Sequence, residues 1–351
     1  MVLQIIAIII LFCFILTVYS QSFIWRKITD QGPSARAYMA MAYSDKQKKV
    51  ILFGGYFFKD PEEFFGDTWE WDGSRWRLVS NSGPQPRYGH VMAYDSMRER
   101  MVLFGGNNGK DFHTGALTDY GDTWEWDGTQ WTEITDQGPE PREFSAMAYD
   151  RKNNKVILFG GFQRYGYDSK LFGDTWEWDG ISWKKITDLG PGQRYKHAMV
   201  YDSRREKVVL FGGRYSGGRD YGDTWEWDGA AWGKKSESGP SPRFDHAMSY
   251  DSDRGRVVLF GGGYDVNPAW EYVLQDPYVW EWDGITWTKI NITGPSIRYG
   301  HSMVYDSFRK VIVLFGGGFI GSELNPLDLI YYSDTWEYGP EASSAQEWEK
   351  Y

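Results

Sequence analysis

The octapeptide GDTWEWDG occurs four times in this chain, at Gly66 to Gly73, Gly121 to Gly128, Gly173 to Gly180 and Gly222 to Gly229. Altered copies stand at Pro277 to Gly284 (PYVWEWDG) and Ser333 to Gly339 (SDTWEYG). An apolar run ending in glycines lies upstream of each copy: VILFGG from Val50, MVLFGG from Met101, VILFGG from Val156, VVLFGG from Val208, VVLFGG from Val257 and VIVLFGG from Val311. Gly-Pro pairs open each unit at residues 32, 83, 138, 190, 239 and 294, so the spacing is 49 to 55 residues. Six copies of a unit this long, each with several short strands, predict the blades of a propeller.

Each unit reads as four strands. Strand a follows a recurring Arg, as in HAMVYD from His197. Strand b is the V-V-L-F-G-G run, apolar on both faces as a strand packed between two neighbouring sheets must be. Strand c is DTWEWD, and strand d is the short W-x-K-I-T segment, as at Trp183 to Thr187. The Asp-Gly between c and d is a tight hairpin signal. The sixth unit stops after strand c, whereas Phe23 to Asp30 (FIWRKITD) reads as a strand d without a blade. The N-terminal strand should therefore complete the sixth blade and close the ring, which removes exposed sheet edges. The expected fold is all-β, a six-bladed propeller over residues 21–338, with a short polar tail at 339–351.

Composition fits and narrows this. The 351 residues include 41 Gly and 19 Trp, against an average of roughly 7% Gly. Of the Trp, 11 fall in strand c and six in strand d, leaving only Trp270 and Trp348 outside the repeat. The two indoles of W-E-W share a strand face, so this excess is read as blade packing and not as platforms for sugars. The net charge of −10 argues against a nucleic-acid backbone as partner. The one cysteine, Cys13, lies in an apolar run from Val2 to Val18, so the repeat itself has no disulfide or thiolate ligand. Residues 1–20 read as a cleaved signal peptide, with small residues at Val18 and Ser20 before Gln21, or alternatively as an uncleaved membrane anchor. Both place the propeller outside the cytosol: secreted, periplasmic or at the cell surface. Asn291-Ile292-Thr293 is a glycosylation sequon in a host that glycosylates.

The double glycine ending one strand and the spaced aromatics two strands later resemble the Kelch repeat, over residues 22–338. The chain is most similar to exported Kelch-type proteins with DTWEWDG blades. The resemblance implies the propeller fold, as in the central domain of the Kelch copper oxidase, and leaves function open. Kelch propellers include partner-binding scaffolds, a sugar-acid mutarotase and a copper oxidase. The oxidase needs a Tyr–Cys crosslink, which a repeat without Cys cannot form. No Walker loop, G-x-S-x-G elbow, HExxH or sialidase-type Asp box is present.

Candidate ligand-binding residues are the six recurring arginines, Arg36, Arg87, Arg142, Arg194, Arg243 and Arg298, which would form a ring of guanidinium groups at one mouth. The alternative is pairing with the equally recurrent Glu70, Glu125, Glu177, Glu226, Glu281 and Glu337. His90, His197, His246 and His301 follow the Arg by three residues, with Met39 and Ser145 at the matching positions; one such residue per blade suits structural bonding better than metal binding. The b–c loops vary while the a–b and c–d turns repeat, so a site belongs on the b–c face, where Tyr264 and Trp270 are added candidates. Glu143, which replaces the usual aromatic after Arg142, and Glu271 stand there as possible acids. The expected function is a monomeric protein- or glycan-binding module needing no cofactor or metal. The alternative is an acidic-sugar mutarotase using a mouth Arg for the carboxylate and a Glu or His as general acid/base.

Overall fold

The computed structural model describes residues 22–59, 61–109, 119–165, 168–215, 217–265, 272–274, 277–320 and 329–341. The readings of residues 1–20, Trp270, Glu271 and the tail beyond Glu341 lie outside these. The described residues form strands and turns, with six four-stranded antiparallel sheets as the blades. Blade 3 is complete in one stretch: strand a at Ala146–Asp150, b at Lys155–Tyr165, c at Asp168–Trp178 and d at Trp183–Thr187. Blades 1, 2, 4 and 5 repeat it, with strands a at Ala40–Ser44, Val91–Asp95, Ala198–Asp202 and Ala247–Asp251. In blade 6, strand a is Ser302–Asp306, b is Val311–Phe315 and c is Thr335–Pro340, and the N-terminal Phe23–Thr29 is strand d. Trp25 pairs with Tyr338 and Phe23 with Pro340. Strand c leads from the b–c loops to the opposite, turn face, so Ser22 and Glu341 meet at the turn face, where the Glu341 N–H donates to the Ser22 carbonyl over 2.7 Å.

The strands a pack side by side in a closed circle about the axis, blade 1 touching blade 6. Strands b lie wholly buried between neighbouring sheets, as Val50, Ile51, Leu52 and Phe53 show. The tryptophans rivet one blade to the next. Each strand-d Trp sets its ring against the strand-b Phe of the preceding blade, as in Trp131–Phe53 and Trp183–Phe104, with centroids 5.3 to 5.4 Å apart in all six blades. It also donates its indole N–H to the strand-c Thr of that blade, as from Trp131 to Thr68 at 2.8 Å. The second Trp of W-E-W fills the space beneath, wholly buried at Trp71 and Trp227. One junction departs from the rule: Val279 stands where blade 5 should have its Thr, and the Trp25 indole N–H has no partner among the described residues.

The double glycines are required by close approach. Gly54 has φ +67°, and a Cβ there would lie 2.7 Å from the Arg87 carbonyl and 2.8 Å from the His90 ring. Its neighbour Gly55 donates its N–H to the same Arg87 carbonyl at 2.9 Å. Each blade thus ends strand b against the segment that precedes strand a of the next.

Candidate functional site

The six arginines lie in the wall of the propeller and not at its opening. All are wholly buried. Each donates Nη1 to the first Gly carbonyl after strand b of its own blade, at 2.9 to 3.1 Å. In five blades the guanidinium also grips the Asp that opens strand c: Arg36–Asp67, Arg87–Asp122, Arg142–Asp174, Arg194–Asp223 and Arg298–Asp334, at 2.6 to 2.8 Å. An aromatic ring caps each of these five, as Phe172 caps Arg142 at 3.7 Å. In blade 5 the Asp position is Tyr278, and Arg243 holds the Gly261 carbonyl and Ser241. Two expectations are corrected here. No open ring of guanidiniums faces a ligand, and the internal partner is the Asp of GDTW rather than the Glu of W-E-W. The Glu lies three residues along strand c, about 10 Å further toward the turn face. There it meets cations of the a–b turn and neighbouring strands, as in Lys49–Glu70, Arg98–Glu125 and Arg254–Glu281.

Two residues beyond each Arg the chain turns over the axis. Tyr38, Gly89, Phe144, Lys196, Asp245 and Gly300 all have φ between +54° and +65°, which side-chain-bearing residues adopt seldom. The reward is a circle of backbone hydrogen bonds. Tyr38 N–H donates to Gly300 O, Gly89 to Tyr38, Phe144 to Gly89, Lys196 to Phe144, Asp245 to Lys196 and Gly300 to Asp245, at 2.7 to 3.1 Å. This annulus forms the mouth on the b–c face. Over it, Lys196 Nζ donates to Asp245 Oδ2 at 2.8 Å, and the Tyr38 hydroxyl donates to the same oxygen at 2.9 Å. Lys196 also sits 4.7 Å above the Phe144 ring and 4.9 Å above that of Tyr38. Burial pushes the Asp245 carboxyl up, against the pull of Lys196.

The mouth has two unlike walls. Across blades 6, 1 and 2, Tyr331, Tyr56, Phe64 and Tyr88 pack ring to ring, and Tyr299 joins them through the Tyr38 ring; Tyr56 lies 5.2 Å from Tyr88, and the Tyr331 hydroxyl donates to that of Tyr56. Phe58 and Ile330 lie on the same b–c loops, 43% and 48% exposed. The second wall is polar. Glu143 is buried, and its Oε2 has no hydrogen-bond partner among the described residues. Burial, then the nearby Asp119, pushes its carboxyl up to about 8, against Lys196 and Arg164. Asp119 is also pushed up by burial and accepts from Asn107 Nδ2 at 2.7 Å and Arg164 N–H at 3.1 Å. Perturbed acids beside a concave opening mark a candidate site on physical grounds.

Beneath the annulus, His90, His197, His246 and His301 line a chamber of about 110 Å³ together with Met39 and Ser145. His90 Nε2 lies 3.1 Å from the Phe53 carbonyl and so carries the hydrogen. Burial and the adjacent Arg push His90 and His246 down to about 3. Further along the axis a second cavity of about 280 Å³ is lined by one Met and one Tyr from every blade. Among the described residues no group of three His, Cys, Asp or Glu can hold a metal ion. Tyr264 is half-buried in the blade 5 hairpin Gly263–Asp265. The six annulus residues were not singled out by sequence. Their signal was a position that varies between blades (Tyr, Gly, Phe, Lys, Asp, Gly) between an invariant Arg and a residue that is His in four of the six blades.

Fold and mouth together define a Kelch-type propeller. The KLHDC2/KLHL20/DRC7 Kelch-repeats domain model matches residues 48–188 and 174–351, and the chain belongs to this Kelch-repeat family. It is 29% identical over 148 residues to host cell factor homolog hcf-1 of Caenorhabditis elegans, covering 40% of this chain and 18% of that protein. It is 34% identical over 157 residues to serine/threonine-protein phosphatase BSL2 of Arabidopsis thaliana, covering 41% and 14%. Mei4-dependent protein 6 of Schizosaccharomyces pombe is 28% identical over 216 residues, covering 52% and 29%. The matches thus span less than a third of each of these relatives. Among solved structures, that of YjhT superposes with a TM-score of 0.68 at 14% identity, covering 88% of this chain and 96% of that one. That likeness bears on the fold.

Proposed function

We propose that this propeller is an exported interaction module that takes a protein partner at the mouth of its b–c face. The observation that carries this is the break in the repeat. Packing residues recur blade by blade, while the mouth and the loops around it vary from blade to blade and set an aromatic wall against a polar one. Large, rigid aromatics beside a few charged groups suit a recognition surface. Membership of the Kelch-repeat family and likeness to host cell factor and BSL2 support the reading. Export rests on the apolar run at Val2 to Val18, and N-terminal sequencing of the mature protein tests it; a start at Met1 in a soluble cytosolic fraction refutes it.

The binding test is a peptide and glycan array probed with wild type, Phe58→Ala, Lys196→Ala and, as turn-face controls, Ile181→Ala and Ile285→Ala, which replace residues 81% and 80% exposed. Signals that fall with the first pair and survive the second support the mouth; the reverse pattern overturns it. Glu143 favours a second reading, an acidic-sugar mutarotase. With its carboxyl pushed up to about 8 it would serve as general acid/base near neutral pH. Since the arginine ring is buried, Lys196 or Arg164 would have to hold the substrate carboxylate. Anomer exchange followed by NMR, abolished in Glu143→Gln, supports this reading, and exchange no faster than in buffer refutes it.

A further inference from the structure

One motif of the sequence takes no part in the mouth: Asn291-Ile292-Thr293, the one Asn-x-Ser/Thr stretch in the chain, with a middle residue other than Pro. It stands at the corner between strand d of blade 5, Trp287–Ile290, and the Gly294-Pro295 pair that opens the next unit.

The same corner in the other five blades is built by a hydroxyl. Thr29, Ser80, Thr135, Thr187 and Ser236 each pair, across a bulge, with the strand-c Thr of their blade. Each also accepts the backbone N–H two residues on, at 2.9 to 3.1 Å. Blade 5 has Val279 in place of the strand-c Thr. Its ladder ends on the Val279–Ile290 pair without a bulge, and Asn291 falls outside the sheet. Asn side chains can cap such turns as hydroxyls do, yet neither Asn291 nor Thr293 makes a side-chain hydrogen bond among the described residues. Exposure alternates along the motif. Asn291 and Thr293 are exposed, while Ile292 is half-buried against the cluster that holds Trp25 and Tyr338. The middle residue thus fastens the segment to the closing blade, and the alternation turns the amide and the hydroxyl outward together.

We propose that Asn291 is the attachment site of an N-linked oligosaccharide. The inference rests on the export reading, since this modification belongs to secreted chains. In the transfer, the Asn291 amide nitrogen bonds to the anomeric carbon of a lipid-diphosphate-linked oligosaccharide. The bond from that carbon to the diphosphate oxygen breaks, the lipid diphosphate leaves with the electron pair, and one amide proton passes to solvent. The acceptor amide has to be reachable and free of competing bonds, and the hydroxyl two residues on has to be reachable with it. This corner meets both conditions, whereas the other five commit their hydroxyl to the turn. The placement suits a large polar adduct. Strand d is the outermost strand of each blade and strand a the innermost, so Asn291 sits three strand spacings, about 14 Å, out from the axial wall. A glycan there covers the rim at the junction of blades 5 and 6 and leaves the mouth open.

The test is expression of two forms in a eukaryotic secretory host. One is the full chain. The other exchanges residues 1–20 for a signal sequence of that host, which delivers the propeller whatever its own leader does. Protein from medium and membranes together is treated with an N-glycan amidase, and the peptide carrying residue 291 is read by mass spectrometry. The expected result in the second form is a fall in mass on treatment, mapped to Asn291. The fall should vanish in Asn291→Gln and in Thr293→Ala and persist in Thr293→Ser, a rescue that a misfolding defect would not give. Melting temperatures of wild type and Asn291→Gln made without glycosylation should agree, because the amide makes no bonds in the fold. Modification of the second form alone refutes export and upholds the site. An unmodified second form, or a fall in mass that survives Asn291→Gln, overturns the site.

Discussion

The buried arginine–aspartate pairs make the sharpest claim about what holds each blade. Consider Asp174→Ala in blade 3. Asp174 accepts from Arg142 Nη1 at 2.6 Å and Nη2 at 3.3 Å, and from the Trp176 indole N–H at 2.8 Å. Arg142 is wholly buried, so the variant leaves an uncompensated guanidinium inside the wall. Breaking such a pair costs about 3–5 kcal/mol. With an m-value of about 3 kcal/mol/M, the urea midpoint should fall by about 1–1.7 M. The double variant Arg142→Met, Asp174→Leu removes both charges and should recover most of the loss. Acid supplies an independent check. Burial opposes the Asp174 charge, but the bonds and charge of Arg142 outweigh it and hold the carboxyl below its ordinary value. A depressed carboxyl stabilises above its unfolded range, near 3.9, and that contribution disappears as pH falls through the folded value. The gap between wild type and Asp174→Ala should therefore be full at pH 7 and close below about pH 4. A loss under about 1 kcal/mol at pH 7, or a gap unchanged down to pH 3, refutes the assignment of these arginines to blade integrity.

Deleting residues 22–30 removes strand d of blade 6 together with the Trp25–Phe260 contact, so calorimetry should show a large fall in melting temperature; an unchanged one would end the closure model. Val279→Thr restores an acceptor for the Trp25 indole N–H and should stabilise by about 0.5–1.5 kcal/mol in urea titration; destabilisation would show that the position is tuned for packing instead. Glu143, with its carboxyl raised from 4.5 to about 8, contributes stability below pH 4.5 that is lost as pH rises toward 8. Melting curves of Glu143→Gln should match wild type at pH 4, exceed it increasingly up to pH 8, and hold a constant gain above; a gain independent of pH contradicts the shift.

Strand number, blade count and closure were legible because they rest on local chemistry repeated six times. Asp-Gly turns, two-faced apolar runs and a strand d missing at one end and spare at the other leave little freedom. The arginine partner was not legible, because Asp and Glu recur with equal regularity in the same strand. Only the strand's rise separates the acid beside the b–c face from the one near the turns. The mouth was hidden for the opposite reason. Tyr38, Phe144, Lys196 and Asp245 share no residue type, and what unites them is a left-handed backbone held by the circle of hydrogen bonds. Glu143 stood out as a departure from the aromatic at its position. Its meaning waited on Asp119 and burial, which sequence spacing does not supply. The methionines lining the second axial cavity escaped notice because a Met two residues before each Tyr reads as ordinary core.

The meeting of Ser22 and Glu341 at the turn face sets a handedness for any attachment. A tag, fusion partner or surface linker joined at either end holds the propeller by its base and leaves the mouth facing outward. An apolar segment preceding Ser22 that entered a bilayer would hold it the same way, turns toward the lipid and mouth toward the medium. Immobilisation through either end should therefore leave the mouth accessible to ligands, whereas a label coupled to a b–c loop should obstruct it.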